Sequence, residues 1–265
     1  MNDAQPEAAD GIDIPSAPPT ATLAESHLNG GRLWLSMMLL ALVACVVSTV
    51  ATERFHLHVI PPSFRSSGMG NPIVIRPADQ VKADRQNAMI VFAIQGGVIA
   101  LSLGLAAGLA QGGPRRAIAG AIVGGIAGAL AGLAGSYVLH LIYFQQMSAS
   151  EDQLSQDVFF PMLIRSGLYA LIGKAAGIAV LFGLGATLSR ATKAIPGAIM
   201  GGILGAVVFE LVGALTFPAD RTYQPISESL PSRAFAACCL CLFVALLTLV
   251  FLTSKERPKI ARPST

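Results

Sequence analysis

Apolar residues occur along this chain in six long blocks, not in the short alternating runs that are typical of soluble sheets. Each block has 20 to 27 residues, and the blocks cover 33–52, 88–110, 117–143, 166–188, 195–217 and 234–253. At about 1.5 Å per residue, a helix of that length crosses the ~30 Å hydrocarbon layer of a membrane. No block alternates like a membrane barrel strand. The pattern predicts an all-α, polytopic transmembrane helical bundle of about six spans.

The segments outside the blocks complete the predicted organisation. Residues 1–31 form an acidic, Ala/Pro-rich tail that we expect to be disordered, because it has too few apolar residues for a core. The bundle occupies 32–253, and a basic tail follows at 254–265. Tight turns at 111–116 and 189–194 alternate with outer loops at 53–87, 144–165 and 218–233. The first block resembles the apolar part of a signal peptide, but a long acidic segment precedes it, so we expect a retained helix.

Composition agrees with a membrane protein and narrows the possible partners. Apolar residues make up 53% of the chain and charged residues 12%, against about 25% charged residues in soluble domains. The net charge of +3 is too small to indicate a nucleic-acid partner. The partner that the composition predicts is the lipid bilayer.

The positively charged residues predict which side of the membrane each end faces. Nine Lys and Arg residues flank the spans on the side of the two tails and tight turns, and eight lie on the side of the outer loops. The eight are Arg54, Arg65, Arg76, Lys82, Arg85, Arg165, Arg221 and Arg233. The counts are close, but the turns are densely basic while 144–164 has no Lys or Arg. By the positive-inside rule we expect both termini in the cytoplasm and the protein in a bacterial inner membrane.

A shift of 77 residues aligns one predicted helical hairpin, 88–143, with another, 166–217, without a gap. Residues 116–129 (RAIAGAIVGGIAGA) match residues 193–206 (KAIPGAIMGGILGA) at ten of fourteen positions. Chance similarity between Gly- and Ala-rich helices is the alternative, but the ungapped register and the shared basic turn favour duplication. A copied two-span unit keeps its orientation, so the sequence predicts two tandem, parallel, Gly-rich hairpins.

Each predicted hairpin has a row of glycines spaced four residues apart. The rows are Gly120, Gly124, Gly128 and Gly132 in the first hairpin and Gly197, Gly201 and Gly205 in the second. Residues four apart share one face of a helix, and a face without side chains lets a neighbouring helix approach closely. We therefore predict helix-packing contacts along both rows, and favour contacts within the chain over contacts between subunits.

Two charged residues, Lys174 and Glu210, lie inside predicted spans. Lys174 precedes Leu188 at the tight turn by fourteen residues, and Glu210 follows Ile195 by fifteen, so the two lie at nearly the same predicted depth. A lone charge at mid-membrane costs at least about 2.5–3.5 kcal/mol, so such a residue faces a partner or water. We predict an intramembrane charged site in which Lys174 and Glu210 form an ion pair or share a proton. The alternatives are a Lys174 side chain that extends to the interface, and separate partners for the two residues.

Weaker polar candidates lie elsewhere in the spans. We expect Gln95 to hydrogen-bond a neighbouring helix and His140 to join an aromatic belt at the membrane interface. The four cysteines all lie in apolar blocks, which favours packing over metal ligation. The chain has no His-Glu-x-x-His, no Gly-x-Ser-x-Gly and no phosphate-binding Gly loop, so we expect no catalytic residues, no metal and no cofactor.

Two functions of different class fit these features. The duplicated hairpins and the intramembrane charges favour transport of a small solute or ion. The glycine rows and the lack of catalytic motifs fit a non-catalytic structural or assembly subunit of a membrane complex. Transport ranks first, and either function allows a homo-oligomer or a membrane-complex partner.

Overall fold

The computed structural model describes most of the bundle. The described residues are 30–55, 58–59, 77–111, 113–149, 159–185, 188–217, 226–227 and 229–254. The N-terminal tail up to residue 29 and the C-terminal tail from residue 255 lie outside them, so the expectations for the two tails stay predictions.

Six helices make up the described structure. They are α1 (Gly30–Phe55), α2 (Pro77–Ala110), α3 (Pro114–Ala149), α4 (Phe159–Leu184), α5 (Leu188–Thr216) and α6 (Leu230–Thr253). All six are long and apolar enough to cross a membrane, and the described residues include no strand. The predicted all-α bundle of six spans is therefore confirmed, and its helices fit a multi-pass membrane protein.

Proline and serine mark the starts of several helices. α2 begins at Pro77 and α3 at Pro114, and at this first helical position the missing N–H needs no partner. Ser229 is the N-cap of α6, where its side chain accepts a hydrogen bond from the N–H of Ser232 and Pro231 lies in the first turn. Local chemistry thus sets where these spans begin.

The turn between α4 and α5 lies earlier in the chain than the sequence predicted. α4 ends at Leu184, and Gly185 has a φ of 55°, the left-handed conformation that commonly ends a helix. α5 begins at Leu188, so the predicted turn at 189–194 is wrong. The polar residues that resemble a loop there form the first turns of α5 instead.

The helices form a ring in chain order, with α2 and α4 also packed together inside it. Each helix packs on the next, and α6 packs back on α1. α6 has only slight contact with α2 and α4, so the interior of the ring is less filled on that side.

Successive spans run in opposite directions, which defines two ends of the bundle. The terminal end holds the start of α1, the α2–α3 and α4–α5 turns and the end of α6, and the loop end holds the opposite helix ends. Two hydrogen bonds at the terminal end illustrate the arrangement. Ser36 Oγ of α1 donates to the Ala106 carbonyl of α2 at 3.2 Å, and Lys193 Nζ of α5 donates to the Ser254 carbonyl after α6 at 3.3 Å.

An apolar core fills the bundle from its middle to the terminal end. Its largest side chains are no more than 1% exposed, and they include Ile99, Leu103, Ile172, Val180, Leu240, Val244 and Leu249. The outward faces are apolar as well, as in the exposed row Ile118, Ile122, Ile126 and Leu130 of α3. Apolar residues on the outside of such a bundle face lipid.

The first glycine row lies where α3 meets α2 and α4. A β-carbon at Gly120 would lie 2.7 Å from the Gly104 carbonyl oxygen and 2.9 Å from Gly183 Cα. One at Gly124 would lie 2.6 Å from Ala179 Cβ, and one at Gly132 would collide with the Phe92 carbonyl oxygen. The absence of side chains therefore lets three helix backbones approach one another along this row.

The second glycine row faces a different neighbour. A β-carbon at Gly197 would lie 2.8 Å from the Leu247 carbonyl oxygen of α6, and one at Gly201 would lie 2.6 Å from Val244 Cα. Gly205 is similarly close to Cys239. The row therefore packs against α6, whereas its counterpart in α3 packs against α2 and α4, so matching positions of the two hairpins do not make matching contacts.

Helix proximity at Gly128 gives a direct stability test. A β-carbon at Gly128 would overlap the Gly96 carbonyl group, so we expect Gly128→Ala to lower the free energy of unfolding by about 1–3 kcal/mol. Gly125→Ala is the matched control, because its β-carbon would meet only the Leu101 side chain at 3.4 Å or more. Thermal unfolding in detergent measures both, and equal stability of the two variants would contradict the close approach of α2 and α3.

Candidate functional site

Arg165 and Glu210 form an ion pair inside the bundle, between α4 and α5. Arg165 Nη1 contacts Glu210 Oε1, and the two side chains are only 7% and 1% exposed. The Arg165 guanidinium also lies over the Phe209 ring, 4.4 Å from its centroid, in a cation–π contact. The pair therefore gives each charge a partner that hydrocarbon cannot provide.

Lys174 is not the partner of Glu210, which corrects the prediction. Its side chain is exposed on the outer face of α4 and makes no hydrogen bond or ion pair with any described residue. The misplaced turn is the physical reason. Lys174 lies ten residues, about 15 Å, from the end of α4 at Leu184, whereas Glu210 lies 22 residues, about 33 Å, from the start of α5. Arg165 lies 19 residues, about 28 Å, from Leu184, which is much closer to the depth of Glu210.

Two buried arginines count as loop cations in the sequence, because a charge at the edge of an apolar block usually ends a span. In the structure α4 begins six residues before Arg165 and α6 begins three residues before Arg233, and each arginine is 6% exposed. The available signals were the helix-starting residues upstream, Pro161 before Arg165 and Pro231 before Arg233. Proline in a first turn extends each span past the charge.

Arg233 connects α1, α6 and the segment that precedes α6. Its Nη1 donates to the Ser227 carbonyl oxygen at 2.9 Å, and its Nη2 lies 2.5 Å from Glu53 Oε2 near the end of α1. The Glu53 side chain is 44% exposed, so this pair lies at the edge of the loop end while the Arg165 pair lies inside. Both arginines are held from behind by a carboxylate.

A partly open cavity of about 290 Å³ lies between α1, α2, α4 and α6, where the ring is least filled. We call it the loop-end cavity. Its lining residues are Thr52, Val91, Phe92, Gln95, Arg165, Tyr169, Ile226, Ser227, Arg233 and Ala236. The lining contains two guanidinium groups and no carboxylate, because neither Glu53 nor Glu210 belongs to it.

Gln95 hydrogen-bonds a neighbouring helix, as predicted, and its other amide atom has no partner. Its Nε2 lies 3.4 Å from Thr52 Oγ1 of α1, while the Thr52 hydroxyl donates to the Ser48 carbonyl at 2.6 Å. Since the Thr52 proton is committed to Ser48, Thr52 can only accept from Gln95, which fixes the orientation of the amide. Gln95 Oε1 is then buried with no hydrogen-bond partner among the described residues, which costs about 1–3 kcal/mol.

His140 lies inside the bundle and not in an interfacial belt, so that prediction is wrong. Its side chain is 2% exposed, and its ring stacks on Phe92 with centroids 6.1 Å apart. Nδ1 lies 2.7 Å from the Ser136 carbonyl oxygen, so Nδ1 carries the proton in this bond. Because Phe92 lines the loop-end cavity, His140 supports one of its walls from α3.

Among the described residues, no three His, Cys, Asp or Glu side chains are grouped closely enough to hold a metal ion. All four cysteines have free thiols, and three of them are buried. Comparisons with protein-family models, with curated proteins and with solved structures each find no match. The site geometry therefore carries the functional argument.

A double-mutant cycle tests the ion pair. Removing one partner leaves a buried charge uncompensated, so we expect Glu210→Gln to destabilise the protein by about 3–5 kcal/mol. Arg165→Met should add less in the Glu210→Gln background than alone, with a coupling of about 0.5–3 kcal/mol. Lys174→Met is the matched control, since an exposed residue should change stability by less than about 0.5 kcal/mol and show no coupling to Glu210→Gln. Additive effects of the Arg165 and Glu210 substitutions would exclude the pair.

Proposed function

We propose that this protein transports a small hydrophilic solute across a membrane, with the loop-end cavity as the binding site. The observation that carries the proposal is a cavity with two buried arginines inside an apolar six-helix bundle. Ionisable residues at such positions are expensive and generally mark a substrate or ion pathway. At about 290 Å³, the cavity is slightly below the common range for ligand sites, about 300–1,000 Å³, so the solute is small.

Stability alone does not explain the buried charges. Replacing a buried ion pair by apolar residues of similar volume is often neutral or stabilising, so Arg165 and Glu210 are weak support for a purely structural role. The orphaned Gln95 acceptor is also costly in a bundle that only needs to stay folded. Polar groups that cost stability and meet in one cavity are typical of a binding site.

The cavity is closed toward the terminal end, as alternating access requires of one transport state. Below it lie Ile99, Leu103, Leu240 and Val244, all no more than 1% exposed. Release on the other side would need α1 and α6 to move away from α2 and α4, whose contact with α6 is already slight. The described arrangement then corresponds to the state that is accessible from the loop end.

We propose that both termini face the cytoplasm of a bacterial cell and that the loop-end cavity opens to the outside of the inner membrane. Burial of Arg165 and Arg233 removes them from the eight cations of the outer loops, which leaves six against nine on the terminal side. The positive-inside rule then favours a cytoplasmic terminal end more strongly than the sequence count did. We expect a fluorescent protein fused after residue 265 to be fluorescent in the cytoplasm, and a dark, exported fusion would reverse the orientation.

We also propose that the two Gly-rich hairpins arose by tandem duplication and that their glycine rows are packing seams. Ten identities in fourteen aligned positions support the duplication. The matching positions differ where the charge lies, since Gly97 corresponds to Lys174 and Leu133 to Glu210. The different neighbours of the two rows fit divergence after duplication, with the charged site retained in one hairpin.

Solute entry into proteoliposomes tests the proposal. Liposomes holding the purified protein are transferred to iso-osmotic solutions of sugars, polyols, amino acids or organic-acid salts, and swelling is followed by light scattering. We expect at least one solute class to enter faster than in empty liposomes. Ala236→Leu fills the cavity without removing a charge, so it should slow entry about tenfold or more, a barrier increase of about 1.4 kcal/mol.

Ala134→Leu is the control for that substitution, because Ala134 is exposed on the outer face of α3. It should leave the entry rate within about twofold of the unmodified protein. Entry of no solute through folded protein would exclude transport, and equal rates for the two variants would exclude the cavity as the pathway.

An exposed charge supports a second function, that of a subunit in a membrane complex. Lys174 lies on the outer face of α4 within a membrane-spanning helix, where a partner with an acidic group would stabilise it. The purification that precedes the swelling assay separates the two functions. A stoichiometric partner after extraction in mild detergent would favour the subunit, whereas the chain alone or as a homo-oligomer would favour transport.

A further inference from the structure

We infer that the loop-end cavity binds a small hydroxycarboxylate, a molecule with one carboxylate and a neighbouring hydroxyl group. The inference rests on the cavity's being the solute site proposed above, but binding can be measured without transport. It combines the charge of the lining, the orphaned Gln95 acceptor and the size of the cavity.

The lining selects a negative charge. Arg165 and Arg233 both border the cavity, and each is 6% exposed. Their carboxylate partners, Glu210 and Glu53, lie outside the lining, so each ion pair presents its positive end to the cavity. Guanidinium groups bind carboxylates through geometrically matched N–H donors.

The orphaned acceptor selects a hydrogen-bond donor on the same ligand. Gln95 Oε1 is directed away from Thr52, in a residue that is 3% exposed and borders the cavity. Of the two common donors beside a carboxylate, an ammonium group would be repelled by the two arginines and would find no carboxylate in the lining. A hydroxyl group carries no charge, so it satisfies Gln95 without that repulsion.

Titration calorimetry of the full-length protein in detergent micelles tests the inference with four probes. Lactate has both groups, propionate lacks the hydroxyl, lactamide lacks the charge, and alanine has an ammonium group in place of the hydroxyl. We expect lactate to bind, and each of the other three to bind about tenfold more weakly or worse, since the site's buried polar groups would be left unpaired.

Gln95→Leu isolates the role of the amide. It should weaken lactate binding about tenfold, to the level of propionate, and leave propionate binding unchanged, a difference that general loss of structure would not produce. Gln86→Leu is the matched control, because Gln86 is exposed on the same helix, and it should change neither affinity. If Gln95→Leu does not fold, the comparison of lactate with propionate on the unmodified protein still decides.

The outcomes separate this inference from the transport proposal. Equal affinity for lactate and propionate, preferred binding of lactamide or alanine, or no lactate binding would overturn the inference, even if another solute enters proteoliposomes. Hydroxyl-dependent lactate binding that Gln95→Leu removes would support it, even if no solute crosses the membrane. In that second case the transport proposal alone would fail.

Discussion

Hydrocarbon does not solvate charge, so every ionised side chain within this bundle needs a counter-charge or a path to water. That constraint accounts for the arrangement at the loop end. Glu210 lies deep in α5, and Arg165 must reach it across the α4–α5 interface. Arg233 is held in the same way between Glu53 and the Ser227 carbonyl, which fixes α6 against α1.

The two halves of the bundle satisfy different requirements. Toward the terminal end, glycines such as Gly120 and Gly183 let helix backbones pack so closely that little space is left between them. Toward the loop end, long side chains such as Arg165 and Gln95 hold α2 and α4 away from α6, and a cavity forms. Tight apolar packing and a polar cavity in one short bundle are what a gated binding site requires.

Chain similarity and spatial similarity differ between the Gly-rich hairpins. Gly128 and Gly205 occupy matching positions in the sequence, yet one packs on α2 and the other on α6. The cause lies partly at the turns. α4 ends at Leu184, before the left-handed Gly185, whereas α2 continues through Gly108, the residue that matches Gly185. A shift of helix ends alters which faces meet, so identical residues acquire different neighbours.

Apolar block length by itself determined that six helices span the chain, because crossing hydrocarbon requires about twenty apolar residues whatever the neighbours are. The sequence also determined that Glu210 needs a partner, since burial of a charge is costly in any fold. Only the tertiary structure decided that the partner is Arg165. Depth depends on where a turn falls, and the turn at Gly185 separates Lys174 from Glu210 by about 18 Å along the helices. The cavity is likewise a product of packing, because Gln95, Arg165 and Arg233 are distant in the chain and meet only where α2, α4 and α6 converge.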